Sequence, residues 1–248
     1  VSDLSGVVAP FGRRKALLVT DKIIRKLGMA DKLIKGLEGT KIKVVATFED
    51  VPPNSEVTTV EACAAAGVEA KANMVIALGG GSVIDTAKVA NILMKKGGKV
   101  SDHFGAQLQD KPLFPLMVVP TTAGTGSEVT LVAVIADTAN DLKIPFTEDY
   151  LRPDLAVLDP QMTMTMPPRI TGATGMDALT HAIEAYVGTE WSPASDAMAL
   201  HAVKMINDNL LAAVVYPDNV EARGNMLVAS CLAGVAFSHS MVGIVHGI

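Results

Sequence analysis

Asp177 and His181 stand four residues apart in Gly175-Met-Asp-Ala-Leu-Thr-His-Ala-Ile-Glu184. On a helix that spacing sets both side chains on one face. A carboxylate and an imidazole so placed supply half of a mixed oxygen and nitrogen metal site, suited to Fe2+ or Zn2+. The same pair fits a plainer role, with Asp177 at the positive end of a helix and His181 hydrogen-bonded in a core. Glu184, seven after Asp177, suits either support for a metal site or surface pairing. His246 lies in the apolar run Met241-Val-Gly-Ile-Val-His-Gly-Ile248, where a neutral imidazole needs a partner. His239 precedes it by seven, and on an unbroken helix the two would share a face.

Two glycine-containing loops offer a second chemistry. Gly79-Gly-Gly-Ser82 follows the apolar run Met74-Val-Ile-Ala-Leu78 and precedes a helical pattern. Free N–H groups at a helix start attract phosphate, and Gly80, Gly81 and Ser82 would let it approach the backbone. The turn is not the usual G-x-G-x-x-G fingerprint, so it does not name the ligand. Pro120-Thr-Thr-Ala-Gly-Thr-Gly-Ser127 also follows an apolar run, with hydroxyls at Thr121, Thr122 and Thr125. Alone it reads equally as a solvated turn. Two such loops at one sheet edge suggest a nucleotide cleft. Asp21 closes the first apolar run; it suits either a ribose diol, where it would repel a 2′-phosphate, or the cap of the next helix.

The elements that must position these residues alternate. Strands are expected at 15–20, 42–48, 74–78 and 116–119, with extended segments at 129–137 and 155–158. Helical patterns occupy 23–37, 55–66 and 83–96, the last closed by Gly97-Gly98. From about Arg169 helices dominate, at 175–187, 193–211 and 220–237, with Ser192 as a cap before Pro193. The expected fold is a Rossmann-like α/β domain with a mainly parallel sheet, followed by an all-α domain. The boundary falls at Met166-Pro-Pro168, dividing the chain into 1–168 and 169–248.

Composition agrees. The 248 residues are 49% hydrophobic, 19% charged and 4% aromatic with 21 glycines, which excludes disordered and collagen-like chains. A net charge of −5 without a basic cluster argues against a nucleic-acid partner. Cys63 and Cys231 lack metal-type spacing and read as buried thiols of a reducing compartment. Residues 225–248 carry no charged side chain apart from their histidines, but their serines and glycines suit core helices better than a lipid-facing span. With no signal-peptide pattern after Val1, a cytoplasmic location is expected.

Three long motifs in order resemble the iron-containing (group III) alcohol dehydrogenases. They are Gly79-Gly-Gly-Ser-Val-Ile-Asp85-Thr-Ala-Lys88, Pro120-Thr-Thr-Ala-Gly-Thr-Gly-Ser-Glu128-Val-Thr130 and Thr174-Gly-Met-Asp177-Ala-Leu-Thr-His181-Ala-Ile-Glu-Ala-Tyr186. The resemblance runs from Lys15 to Ile248. It implies an NAD-binding domain and a helical domain holding a divalent metal, Fe2+ ahead of Zn2+. Asp177, His181 and His246 match three of the family's four metal ligands, and are catalytic through the metal. Gly80, Gly81 and Ser82 match the pyrophosphate loop, and Thr121, Thr122 and Thr125 the second cofactor loop. Asp21 and Asn54 match positions nearer the adenosine, and Lys143 a lysine near the nicotinamide ribose. Asp21 is the acid that favours NAD over NADP in such enzymes.

The implied chemistry is Lewis-acid activation of an alcohol oxygen with hydride transfer to nicotinamide C4. A glycerol-dehydrogenase-like polyol enzyme is the nearest alternative. The family's first hairpin and its fourth ligand, a histidine, fall outside the sequence; this admits a non-catalytic nucleotide-binding chain as a further alternative. Expected partners are a small alcohol or its aldehyde or ketone and copies of the same chain, with no nucleic acid and no membrane.

Overall fold

A computed structural model describes residues 1–247. It forms two compact units, Val1–Val119 with Leu131–Val157, and Pro120–Thr130 with Leu158–Ile248. The Pro120–Thr130 loop therefore belongs with the helices, although it leaves a strand of the sheet.

In the first unit, after a short helix α1 (Ser5–Val8), strands β1 (Arg14–Val19), β2 (Ile42–Phe48), β3 (Met74–Gly79), β5 (Leu116–Pro120) and β8 (Leu155–Ala156) form one sheet in the order β2-β1-β3-β5-β8. β1 is parallel to β2 and β3, and β5 to β8. Every residue of β3 and β5 is buried, as expected of strands covered on both faces. Helices α4 (Val57–Glu69) and α5 (Gly81–Lys96) pack Val60, Cys63, Ile84 and Ile92 into the same core as Leu17, Val75 and Val118.

One expectation is corrected and another is completed by the fold. The helical pattern at 23–37 is two helices, α2 (Lys22–Lys26) and α3 (Met29–Gly36), because Gly28 between them takes φ +73°. The extended segment 129–137 does not join the parallel sheet. Its residues Val132–Asp137 form β6, antiparallel to β7 (Leu142–Thr147), and the short β4 (Gly105–Ala106) completes a second sheet in the order β4-β7-β6. The Asp137 carboxylate accepts N–H bonds from Ala139 and Asn140, which closes the hairpin turn. Sequence reading passes over β7 because Pro145 interrupts it and only Phe146 is fully buried.

In the helical unit, α6 (Pro168–Val187) begins seven residues before the expected Gly175, with Pro168 in the first turn, where a missing N–H costs nothing. α7 (Pro193–Val215) follows the Ser192 cap, whose hydroxyl accepts from Ser195 N–H at 3.1 Å. α8 spans Val220–Ser240. The three helices meet in alanine layers, Ala182 with Ala202 and Ala233, then Ala185 with Ala199 and Ala236. Such small contacts bring the backbones close, and a Cβ at Gly175 would lie 2.3 Å from Leu210 Cδ1. By length and composition α7 could also cross a membrane, but here Ala199, Ala202, Ile206 and Ala213 turn inward.

Both cysteines are free. Burial pushes the Cys63 thiol far up and raises Cys231 to about 11, with Glu128 adding to the latter. At pH 8 only about a thousandth of Cys231 is then thiolate, against roughly a quarter for an ordinary thiol of pKa ~8.5. Iodoacetamide labelling of the native chain should therefore be at least a hundredfold slower than in urea. Labelling of Cys63 at equal rates in both conditions would contradict its buried place.

Candidate metal centre and cofactor loops

α6 carries Asp177 and His181 on one face, the first half-buried and the second buried. His246 reaches them from another part of the chain. α8 stops at Ser240 because Met241 takes φ +61°, and the chain doubles into the short helix α9 (Ile244–Gly247). Hence His239 and His246 do not share a helix, and His239 is exposed at the end of α8. One ligand atom from each of Asp177, His181 and His246 lies within 4.8 Å of the others. Nε2 of His246 is 3.5 Å from Oδ1 of Asp177.

Each imidazole is held by its other nitrogen. Nδ1 of His181 donates to the Gly124 carbonyl at 3.3 Å, and Nδ1 of His246 makes a short hydrogen bond to Glu184 Oε2. The His181 ring is sandwiched, with Phe237 at 4.5 Å and His246 at 4.2 Å between centroids. Burial, reinforced by the neighbouring His246 and opposed by Asp177, keeps the His181 pKa below the ordinary value. A neutral imidazole is the ligating form. Glu184 is itself buried. Burial pushes its carboxyl up, but bonds from His246 and from the N–H groups of Gly243 and Val245 outweigh this and hold it below the ordinary range.

The donor set fits a divalent ion of intermediate softness. Two ligands ~2.1 Å from one tetrahedral ion lie about 3.4 Å apart, close to the His246–Asp177 separation. Two neutral nitrogens and one carboxylate oxygen suit Fe2+ or Zn2+ better than the all-oxygen ions. The helix spacing reveals the first pair, whereas Glu184 and the Gly124 carbonyl become visible as partners only in the fold.

The other residues expected in a site divide between the units. In the first, Asp21 follows β1, Asn54 lies in the connection after β2, and Gly80–Ser82 follow β3, all at the carboxyl ends of adjacent parallel strands. Such edges bind ligands in open α/β sheets. Gly79 permits the tight strand-to-helix turn, since a Cβ there would sit 2.6 Å from Val83 Cβ. Gly80 caps α5 and Gly81 begins it. Asn54, at φ +59°, donates its N–H to Ser82 Oγ at 3.2 Å, joining the two segments. Asp21 caps α2, accepting from Ile23 and Ile24 through Oδ1. Lys143 is exposed on β7 opposite Ala136, whose N–H donates to the carbonyl of Ser55, the residue after Asn54.

In the helical unit, Thr121 is buried, Thr122 is half-buried, and the Thr125 hydroxyl accepts from Ser127 N–H. Gly124 and Gly126 seat this loop on the helices. A Cβ at Gly124 would lie 2.7 Å from Thr174 Cβ, and one at Gly126 2.6 Å from the Gly234 Cα.

Residues 1–160 match the family described as iron-containing alcohol dehydrogenase, and 171–248 match the C-terminal region of the Fe-containing alcohol dehydrogenase family. The chain is 37% identical to the NAD-dependent methanol dehydrogenase of Bacillus methanolicus, covering 100% of this chain and 65% of that protein. It is 40% identical to long-chain-alcohol dehydrogenase 1 of Geobacillus thermodenitrificans, over 97% of this chain and 61% of the relative. Among solved structures, a 1,3-propanediol oxidoreductase superposes with a TM-score of 0.93 at 38% identity, covering 98% of this chain and 63% of the other. The sulfoacetaldehyde reductase of Bifidobacterium kashiwanohense, solved in complex with NAD+, gives a TM-score of 0.88 at 36% identity, with 96% and 62% covered. The chain thus spans less than two thirds of the length of these relatives.

Proposed function

Because the chain belongs to the iron-containing alcohol dehydrogenase family, we propose that it serves a metal-dependent oxidoreductase moving hydride between a small alcohol and NAD. The observation that carries this reading is the convergence of Asp177, His181 and His246 within 4.8 Å, with both Nδ1 atoms engaged elsewhere. These three residues would hold the ion, Fe2+ ahead of Zn2+. When bound, it would supply Lewis-acid polarisation of the alcohol or carbonyl oxygen. His181 and His246 present Nε2, and Asp177 adds the negative charge that favours a cation. Burial of His181 keeps protons from competing with the ion.

The cofactor roles rest on the strand ends and the clamped loop. Gly80, Gly81 and Ser82 open the positive end of α5 to a pyrophosphate. Asn54 is tied to that turn. Thr121, Thr122 and Thr125 offer backbone and hydroxyl groups, and Lys143 a cation for the nicotinamide ribose. Sequences named for methanol and 1,3-propanediol among the relatives favour a small primary alcohol or its aldehyde as substrate. Two free thiols favour a reducing, cytoplasmic setting.

The test is anaerobic reconstitution with Fe2+ or Zn2+, followed by NADH oxidation against a panel of short aldehydes and ketones. Turnover should require the ion. NADH binding without metal-dependent turnover on any member would replace this reading with a nucleotide-binding role.

Asp21 allows a sharper check, because it has two jobs. Asp21→Ser keeps a capping oxygen but removes the charge, so the NADH to NADPH ratio of kcat/KM should fall at least tenfold with little loss of stability. Asp21→Ala should cost a further ~1 kcal/mol from the lost cap. An unchanged cofactor ratio in Asp21→Ser would remove Asp21 from the adenosine end.

A further inference from the structure

The segment that delivers His246 has little to hold it. It begins at a left-handed Met241, and residues 241–247 are all exposed. Its short helix is only four residues long and buries none of them. Yet His246 lies among the candidate ligands, so something must pay for its order. From α6, Glu184 reaches across 62 positions of sequence to the His246 imidazole, and its Oε1 accepts the Val245 N–H at 2.7 Å. Gly243 passes so close that a Cβ there would lie 2.8 Å from Glu184 Oε1. Only 5% of Glu184 is exposed, so a carboxylate bearing these bonds is not a surface pair.

We infer that Glu184 is the positioning residue of the metal centre, docking the 243–246 segment onto α6 and fixing His246 with Nε2 toward Asp177. The inference rests on the proposed metal-dependent reading. Three features of one side chain carry it. Glu184 accepts a hydrogen bond from Nδ1–H of His246, which fixes the tautomer and leaves Nε2 with its lone pair. It accepts a backbone N–H beside that histidine, which sets the height of the segment along α6. It also lies seven residues after Asp177 and three after His181, on the same helix that presents both other donors. Anchor and ligands therefore share one rigid element, so the geometry of all three donors is set relative to α6 alone.

The experiment uses the whole metal-free chain, titrated with Zn2+ by calorimetry and with Co2+ by visible absorption. Glu184→Ala should weaken both ions by about 10–100-fold and alter the Co2+ ligand-field bands, while NADH affinity stays within about twofold. Glu184→Gln keeps the side-chain volume and one oxygen for the Val245 N–H but sets an NH2 group against His246 Nδ1–H, so it should recover only part of the affinity and leave the Co2+ bands altered. Wild-type affinity and bands in Glu184→Gln would mark a purely structural role and overturn the inference.

Gly243→Ala probes the same contact without touching a ligand or Glu184 itself, and should weaken Zn2+ in the same direction. Should Glu184→Ala not fold, Gly243→Ala beside Glu184→Gln decides the matter, and wild-type Zn2+ affinity in Gly243→Ala would overturn the inference. A folded Glu184→Ala with wild-type affinity and unchanged Co2+ bands would overturn it too. Both results leave the metal-dependent reading standing. A wild-type chain that takes up neither ion overturns that reading, and the inference with it.

Discussion

His181→Ala should abolish metal uptake, lowering affinity on the order of a thousandfold or more. Loss of a residue that merely orients a ligand already costs about 10–100-fold, and a ligand is worth more. The same substitution removes a buried ring stacked between Phe237 and His246, so the alanine variant also leaves a cavity. His181→Phe separates the two effects. It refills the volume with no donor nitrogen, leaving the Gly124 carbonyl without its partner. Both variants should lose the ion, but the phenylalanine variant should melt closer to wild type. Stoichiometric Zn2+ in either, measured by elemental analysis, would remove His181 from the site.

The buried imidazole has a pH consequence with a definite sign. Its folded-state pKa lies below the unfolded value of about 6.5, chiefly through desolvation. The stability contributed by neutral His181 is therefore fully present above pH ~6.5 and lost as pH falls through the depressed folded value. Without metal, acid should destabilise wild type more steeply than His181→Phe, as read from urea midpoints at pH 7 and pH 5. Equal slopes would show that His181 titrates as freely in the folded chain as in the unfolded one.

Gly126→Ala should be the most damaging single methyl group in the helical unit. Gly126 sits at φ +63°, where a Cβ costs about 1–2 kcal/mol. That Cβ would also lie 2.6 Å from Gly234 Cα and 3.2 Å from Gly234 N, backbone atoms of α8 that have no rotamer by which to move aside. Overpacking adds about 1–3 kcal/mol, for a total of roughly 2–5 kcal/mol and a fall in Tm of about 4–20 °C.

Gly28→Ala is the natural control, since it is left-handed at φ +73° and ψ +10° but nothing lies within 4 Å of its Cβ. The excess of Gly126→Ala over Gly28→Ala reads the contact. Gly234→Ala tests the contact from the other side. Glycine to alanine inside a helix ordinarily gains up to ~1 kcal/mol, but here the new Cβ meets Gly126 Cα at 2.9 Å, so the sign should reverse. A thermal melt showing Gly234→Ala as stable as wild type would mean that the loop is not seated as described. The same displacement would carry Thr121 and Thr125 with it, so NADH affinity should fall in Gly126→Ala.

Much of the fold is legible in local patterns because those patterns are local physics. β3 reads as a strand from its unbroken apolar run, and all six of its residues are buried. Ser192 followed by Pro193 marks the start of α7, because a capping hydroxyl and a fixed φ act within one turn. The elements that escape such reading depend on what lies across from them. β7 is held by its register with β6 rather than by its own composition, and the early start of α6 runs through Gly172, while only the packing shows that α7 needs the space at Gly175.

The candidate site divides along the same line. That Asp177 and His181 share a helix face is readable from their spacing, because 3.6 residues per turn puts i and i+4 together wherever the helix lies. Gly80–Ser82 is likewise readable as a strand-to-helix turn from the apolar run before it and the helical pattern after it. It takes the folded chain to bring His246 to the pair, to turn Glu184 inward against it, and to set the Gly124 carbonyl, 57 positions upstream, on His181. Those meetings follow from a left-handed turn at Met241 and a glycine contact at Gly126 and Gly234. Which residues meet across such distances is settled by packing, and packing energy belongs to no single stretch of chain.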